Sequence, residues 1–228
     1  MKKDNCTFVI FATGERTTEL CKHSIKKLGY KNILVIEDNS GFCVFGIKSY
    51  EGIDELISHA EENNFDWLTG VVYDYFMNRF RGGTPQVITK KVLEILNKNN
   101  DLMPNTQKPE SVFSETIRSE VKMGDVKIFT ALHEYEQYPS KVCNSFLNRL
   151  HRNHSHLYNN QHLNTLPEHY KLALHHGLKI FSENKNKESM DFVDFSFLDK
   201  DFEKIKLIDV EALYEKYKNV YTEIKKRA

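Results

Sequence analysis

Two short apolar runs with a helix-like segment between them constrain this chain more than any other feature. Thr7-Phe-Val-Ile-Phe-Ala-Thr13 and Asn32-Ile-Leu-Val-Ile36 lie on either side of a segment that ends at Gly29. Apolar runs that are continuous rather than alternating read as buried strands, and two of them joined through a helix predict a right-handed β-α-β unit. The first run closes on Thr13 and the turn Gly14-Glu-Arg16; the second closes on Glu37-Asp38-Asn39-Ser40. Ligands of open α/β sheets bind where the strands' carboxyl ends meet a crevice. These polar ends are therefore the first place to look for a nucleotide.

The pattern continues as alternating strands and helices. Thr17 or Thr18 suits a helix N-cap, Glu19 suits the first turn, and Leu20, Cys21, Ile25 and Leu28 form the apolar face. A short run from Phe42 to Ile47 precedes a second helix, with Ile53, Leu56, Ile57 and Ala60 on one side. A third buried strand, Trp67 to Tyr73, ends at Asp74. Arg79, Arg81, Gly82 and Gly83 read as a polar, flexible connection, and a helix from Gln86 to Leu96 turns Ile88, Val92, Ile95 and Leu96 inward. Asn97 to Lys108 reads as a loop over the crevice.

Beyond that loop, Val112, Phe113, Ile117 and Val121 mark a helix closed by Gly124, and a strand from Val126 to Leu132 delivers His133. Pro139 opens a helix that buries Val142, Cys143, Phe146, Leu147 and Leu150. A short helix from Pro167 to His176 follows. A last helix then carries Val210, Leu213, Tyr214, Tyr217, Tyr221 and Ile224 as one stripe. The expected architecture is α/β, a mixed central sheet flanked by helices. Residues 1–138 form the core, and residues 139–228 form a mainly helical extension packed on it.

Composition narrows the function classes. A chain of 228 residues that is 40% hydrophobic and 12% aromatic can bury a real core. Lys plus Arg and Asp plus Glu both number 32, so no global charge advertises a polyanion partner. Cys6, Cys21, Cys43 and Cys143 include no Cys-x-x-Cys pair, and the opening residues are not expected to act as a signal peptide. Reduced thiols in a cytoplasm are the expectation. No apolar run reaches the ~20 residues of a membrane helix, so no membrane partner is expected.

At the level of motifs the chain resembles a known family. Phe11-Ala-Thr13-Gly-Glu-Arg16-Thr-Thr-Glu-Leu20 and Ile36-Glu37-Asp38-Asn39-Ser40 resemble the opening of GT-A-fold, family-two-like glycosyltransferases. The likeness continues at Pro109-Glu110-Ser111, at Arg118, Gly124 and Ile128, and at His133, and it covers Thr7 to Tyr138. It implies a GT-A-like nucleotide-diphospho-sugar transferase fold with a nucleotide-sugar co-substrate, by resemblance a UDP-sugar. It implies that Thr13, Arg16 and Asp38 hold the nucleotide and that Asp74 and His133 hold Mn²⁺ or Mg²⁺. Glu110 or Glu115 would take the acceptor's proton. Two departures stand out. The family's Asp-x-Asp is here Asp74-Tyr75-Phe76, and Ser111 replaces the usual Asp. Asp74 also reads as a strand-end turn residue, and Glu110 and Glu115 as ordinary carboxylates at a helix start.

No acid occurs from Gln137 to Pro167, a span that holds Lys141, Arg149 and Arg152 along with His151, His154, His156 and His162. Lys141, Ser145, Asn148 and Arg152 share the polar face of the helix there. Such a stripe suits phosphates of the donor or of a nucleic-acid acceptor, and it equally suits a solvated face. A compact chain with this segment is similar to the small phage-type transferases that glycosylate hydroxymethylated bases in duplex DNA. A capsular or lipopolysaccharide oligosaccharide acceptor fits the core as well. Outside enzymes, the rival is a GT-A-like domain that binds a nucleotide-sugar or DNA without turnover. Two zinc readings fail. His133-Glu134-Tyr-Glu-Gln137 has Gln where His-Glu-x-x-His needs its second ligand, and His151, His154 and His156 have no cysteine cluster nearby.

Overall fold

The computed structural model describes residues 3–12, 18–37, 49–75, 77–98, 114–133, 135, 137–151, 164, 166, 168–183, 195–200 and 209–228. The opening β-α-β unit is present as β1 (Thr7–Ala12), α1 (Thr18–Lys27) and β2 (Asn32–Glu37). β1 and β2 are parallel and in register from Thr7↔Asn32 to Ala12↔Glu37. Gly29 ends the helix at φ +88°, a conformation that favours glycine, and Tyr30 N–H returns to the Ile25 carbonyl at 3.2 Å. Leu20, Cys21 and Ile25 are buried, as the spacing predicts.

Among the described residues, β1 and β2 pair as a two-stranded sheet separate from the larger one. This pair is not covered on both faces: Ile10 is buried, with Phe8, Ile33 and Val35 packed beside it, while Val9, Leu34 and Ile36 are exposed. A continuous apolar run therefore does not establish two-sided burial.

The larger sheet has the order β3-β6-β4-β5. Its strands are β3 (Ser49–Tyr50), β4 (Trp67–Asp74), β5 (Arg79–Ile88) and β6 (Met123–His133). β4 and β6 run parallel and the other two pairings are antiparallel, which makes the sheet mixed. Helix α2 (Ile53–Glu62) ties the two sheets together. Its stripe of Ile53, Leu56, Ile57 and Ala60 shares one core cluster with Ile10 of β1, Ile25 of α1 and Leu68 of β4.

The segment read as a flexible connection is the strand β5, hairpinned to β4. Asp74 Oδ1 accepts the Met77 N–H at 2.9 Å, and Asn78 takes φ +50°, a left-handed conformation that Asn tolerates. The register steps from Thr69↔Gln86 to Val71↔Gly82, so the extra residues of β5 bulge around Pro85, which has no ladder hydrogen bond to give. Pairing out to Ile88 uses the residues assigned to a helix start. α3 therefore begins later, as Lys90–Lys98, with Val92 buried and Ile88 exposed. Gly124 likewise closes no helix: it lies inside β6, where a Cβ would meet the Phe65 ring at 2.6 Å.

Among the described residues, three further helices follow, α4 (Pro139–His151), α5 (Glu168–Glu183) and α6 (Val210–Lys225). α4 buries the five residues expected of it. α5 runs well past His176, because Gly177 does not stop it. Gly177 instead lets α5 cross close over α4, where a Cβ would stand 2.8 Å from Phe146 Cδ1. Asp199, beside the 3₁₀ turn Ser196–Leu198, fixes the start of α4 by accepting from Ser140 N at 2.9 Å and Ser140 Oγ at 2.5 Å.

Asp209 caps α6 by accepting the Glu211 N–H at 2.9 Å. The α6 stripe of Tyr214, Tyr217, Tyr221 and Ile224 packs with Leu20, Tyr73, Phe129, Leu132 and Tyr135. Tyr221 stacks on Phe129 at a centroid distance of 4.4 Å and donates to the Phe129 carbonyl at 2.8 Å, while Tyr214 donates to Glu51 at 2.5 Å. No helix among the described residues is long and apolar enough to cross a membrane.

α6 reaches the sheet over Gly52, where a Cβ would lie 2.1 Å from the Phe129 carbonyl oxygen and 2.6 Å from Tyr221 Oη. Gly52→Ala should therefore destabilise the fold by roughly 1–3 kcal/mol or more, read as a lower urea midpoint. Glu51 gives a pH-dependent counterpart. Burial raises its carboxyl above the ordinary carboxylate range, against the Tyr214 hydrogen bond and the charge of Lys218, which lower it. A raised folded-state value means that the folded chain holds the proton more tightly than the unfolded one. Glu51's stabilising share is therefore complete below the unfolded value and is lost as pH rises through the folded one. Glu51→Gln should raise the melting temperature at and above neutral pH, and the gain should vanish in mild acid.

Candidate functional site

The parallel strands β4 and β6 end together, with Asp74 registered against His133. Strand alternation sends Tyr73 and Leu132 toward the tyrosines of α6, which puts Asp74 and His133 on the other face, in line with Val72 and Ala131. β5 contributes to the same face. Arg81 is the cross-strand partner of Val72, one pleat away from Asp74.

The three side chains converge. Asp74 is 0% exposed, and its Oδ2 lies 3.0 Å from Arg81 Nε and 3.3 Å from His133 Nδ1. Arg81 Nη2 stands 3.1 Å from His133 Nδ1 and 3.0 Å from Nε2. A donor in the plane of an imidazole can reach only one ring nitrogen, so these near-equal distances put the guanidinium amine over the ring face, a stacking that suits arginine. Main-chain bonds hold the frame: Asp74 Oδ1 takes the Met77 N–H, and Tyr75 N–H donates to the His133 carbonyl at 2.9 Å. A buried carboxylate is tolerable only when paired and hydrogen-bonded. Here one oxygen serves the turn and the other faces Arg81 and His133.

Asp74 is thus the turn residue that the sequence also suggested, and it lies beside His133. Thr13, Arg16, Asp38, Glu110 and Arg152 lie outside the described residues; β1 and β2 reach Ala12 and Glu37, immediately before Thr13 and Asp38. Glu115 is exposed, on a helical turn (114–117) whose Ile117 packs with Trp67, Val92 and Val121. Trp67 starts β4 and Asp74 ends it, so at about 3.3 Å per residue the two ends are roughly 20 Å apart. The structure therefore does not bring Glu115 to Asp74 and His133. Lys141 is half-buried in the first turn of α4; Arg149 lies further along that helix, with its side chain outside the description.

Arg81 is the site residue that the sequence reading missed. Its signal was present as Arg79-Phe80-Arg81, an alternation around one partly buried aromatic, directly after an Asn that favours a hairpin turn.

A divalent ion of the Mg²⁺ type needs near-octahedral, mostly oxygen coordination. Asp74 and His133 offer two side chains, both already engaged by a guanidinium, and no group of three or more His, Cys, Asp or Glu among the described residues could hold a metal. This donor set does not fit such an ion. It fits the arginine that is there. No protein-family model matches the sequence, and no curated protein matches it significantly.

Removing one partner from a buried pair costs about 3–5 kcal/mol, because the remaining charge is stranded. Asp74→Ala should therefore destabilise the chain by an amount in that range, since it also removes the acceptor for Met77 N–H. Asp74→Asn combined with Arg81→Gln should cost clearly less than the sum of the two single changes in a double-mutant cycle read by urea denaturation.

Proposed function

We propose that the protein is a glycosyltransferase of GT-A type, moving a sugar from a nucleoside-diphosphate carrier, a UDP-sugar by the resemblance above, to an acceptor hydroxyl. The observation that supports this most is the meeting of Asp74 and His133 at the carboxyl ends of neighbouring parallel strands. Those are the two positions that the resemblance assigns to the diphosphate end of the donor. The mixed α/β architecture is compatible with this fold. Thr13, Arg16 and Asp38, which follow β1 and β2, are proposed to hold the nucleotide. Glu110 is the proposed proton acceptor, given where Glu115 stands.

The proposed acceptor is duplex DNA carrying hydroxymethylated pyrimidines, with Lys141, Arg149 and Arg152 on its phosphates. The support is the acid-free span that contains them. A second reading, binding of the nucleotide-sugar without turnover, is favoured by the protein's own hold on Asp74, whose Oδ1 accepts the Met77 N–H and whose Oδ2 is ion-paired with Arg81.

Thermal-shift screening against nucleotide-sugars, with and without Mn²⁺, tests the donor. A ligand at a hundred times its dissociation constant should stabilise the protein by about 2.7 kcal/mol. Sugar transfer to hydroxymethylated DNA, unmodified DNA and oligosaccharides then separates the acceptors. A stabilising nucleotide-sugar that is never hydrolysed or transferred would favour the binder. If DNA is the acceptor, Lys141→Ala with Arg152→Ala should flatten the log–log salt dependence of DNA affinity by about two units and leave donor binding unchanged.

A further inference from the structure

We propose that Arg81 receives the anionic end of the ligand, a phosphate or diphosphate oxyanion, and that Asp74 and His133 are positioning residues that hold its guanidinium. The proposal rests on the nucleoside-diphosphate reading above, and it gives the charge-neutralising role to a residue that the reading left to a metal. Three observations carry it. First, the donor set around Asp74 is completed by a permanent cation rather than by further ligands: Nε stands 3.0 Å from Asp74 Oδ2 and Nη2 within 3.1 Å of both His133 nitrogens. Second, burial is graded across the three. Asp74 is 0% and His133 4% exposed at the side chain, while Arg81 is 31% exposed. The carboxylate therefore lies behind the arginine, and the arginine is the member that meets solvent. Third, the guanidinium is ion-paired through Nε to buried Asp74 and has Nη2 over the His133 ring, so its direction is set before any ligand arrives.

Arginine recognises phosphate oxygens by parallel N–H···O bonds from such a fork, and pre-orientation lowers the entropy lost on binding. An unanchored arginine on a strand would lose several rotamers on binding the same anion. Asp74 sets the orientation at the cost of some net charge, a cost reduced by its burial behind the cation. The arrangement predicts anion binding that needs no added divalent ion.

Calorimetric titration with inorganic pyrophosphate and with UDP, in EDTA, tests this on the full chain. Wild type should bind both. Arg81→Ala alone strands a buried carboxylate and is a poor probe, so the informative variant is Asp74→Asn with Arg81→Gln, checked for folding by its thermal transition. That pair should lose affinity for both probes by at least about tenfold, the loss of one charge-assisted interaction. Arg81→Lys, which keeps the charge without the fork, should fall between the two. Gly82→Ala, which adds a methyl where nothing lies within 4 Å, is the control on the same strand and should bind as wild type. Binding that appears only with Mn²⁺, that is unchanged in the folded double variant, or that is absent in wild type overturns the proposal.

Sugar transfer, assayed in parallel, keeps the two readings apart. Metal-free pyrophosphate binding that depends on Arg81, without transfer from any nucleotide-sugar, upholds Arg81 and removes the transferase. Transfer that persists in the double variant removes Arg81 and upholds the transferase.

Discussion

A fully buried carboxylate at the end of a strand is the constraint that the centre of this molecule depends on. Asp74 is 0% exposed, and an ion of that kind unfolds its surroundings unless every oxygen is answered. The answers come from three different places in the sequence. The Met77 N–H answers from the turn, Arg81 from the returning strand, and His133 from a strand almost sixty residues later. Meeting all three at once fixes the hairpin, the β4–β5 register and the parallel β4–β6 register together. A slip of one residue would turn Asp74 onto the tyrosine face, where Tyr73 and Leu132 now sit. The ionic cluster thus specifies register by excluding alternatives, whatever its net contribution to stability.

The other face of the same sheet solves the opposite problem. α6 brings three tyrosines against Phe129, Leu132 and Tyr73, and their hydroxyls need partners once the rings are buried. Tyr214 uses Glu51 and Tyr221 uses the Phe129 carbonyl. Burial pushes both phenols well above the ordinary tyrosine range, so they act as donors throughout the physiological range. The side-by-side bonds of Glu51 N and Gly52 N to the Thr130 carbonyl, both 3.1 Å, set the close approach that admits Tyr221. One sheet therefore carries an aromatic seal on one side and a charged cluster on the other. The seal comes from residues 210–225, far from the strands in sequence, so the strands that carry Asp74 and His133 are completed by the chain's C-terminal helix.

Much of this architecture was legible from periodicity. The stripes of α1, α2, α4 and α6 fall where the spacing of apolar residues puts them, because a helix facing one core has only one way to hide them. The failures share a cause: local signals with two uses. Gly82, Gly83 and Pro85 look like a loop, but a bulged strand tolerates all three. The helix read as ending at His176 continues through Gly177, which the close crossing of two helices needs. The apolar run of β2 looks two-sided, yet Leu34 and Ile36 are exposed. At the candidate site the proximity of Asp74 and His133 was legible, since both directly follow apolar runs that read as neighbouring strands. Arg81 was not, because its meaning depends on a hairpin register that no short window contains.

That register also explains why an arginine and a metal are not interchangeable here. A divalent ion gathers ligands around a point and would need the Asp74 oxygens turned toward it, yet Oδ1 is committed to the main chain of the turn. Freeing it would cost the hairpin its closing bond. A guanidinium asks only for an opposite charge beside it, and Oδ2 supplies one. With one carboxylate at the end of β4, the chain keeps the turn and places the positive charge of Arg81 beside it from the neighbouring strand. A second carboxylate beside Asp74 would leave the cluster with more negative charge than one arginine can offset, so one acid and one arginine form a balanced arrangement at this strand end.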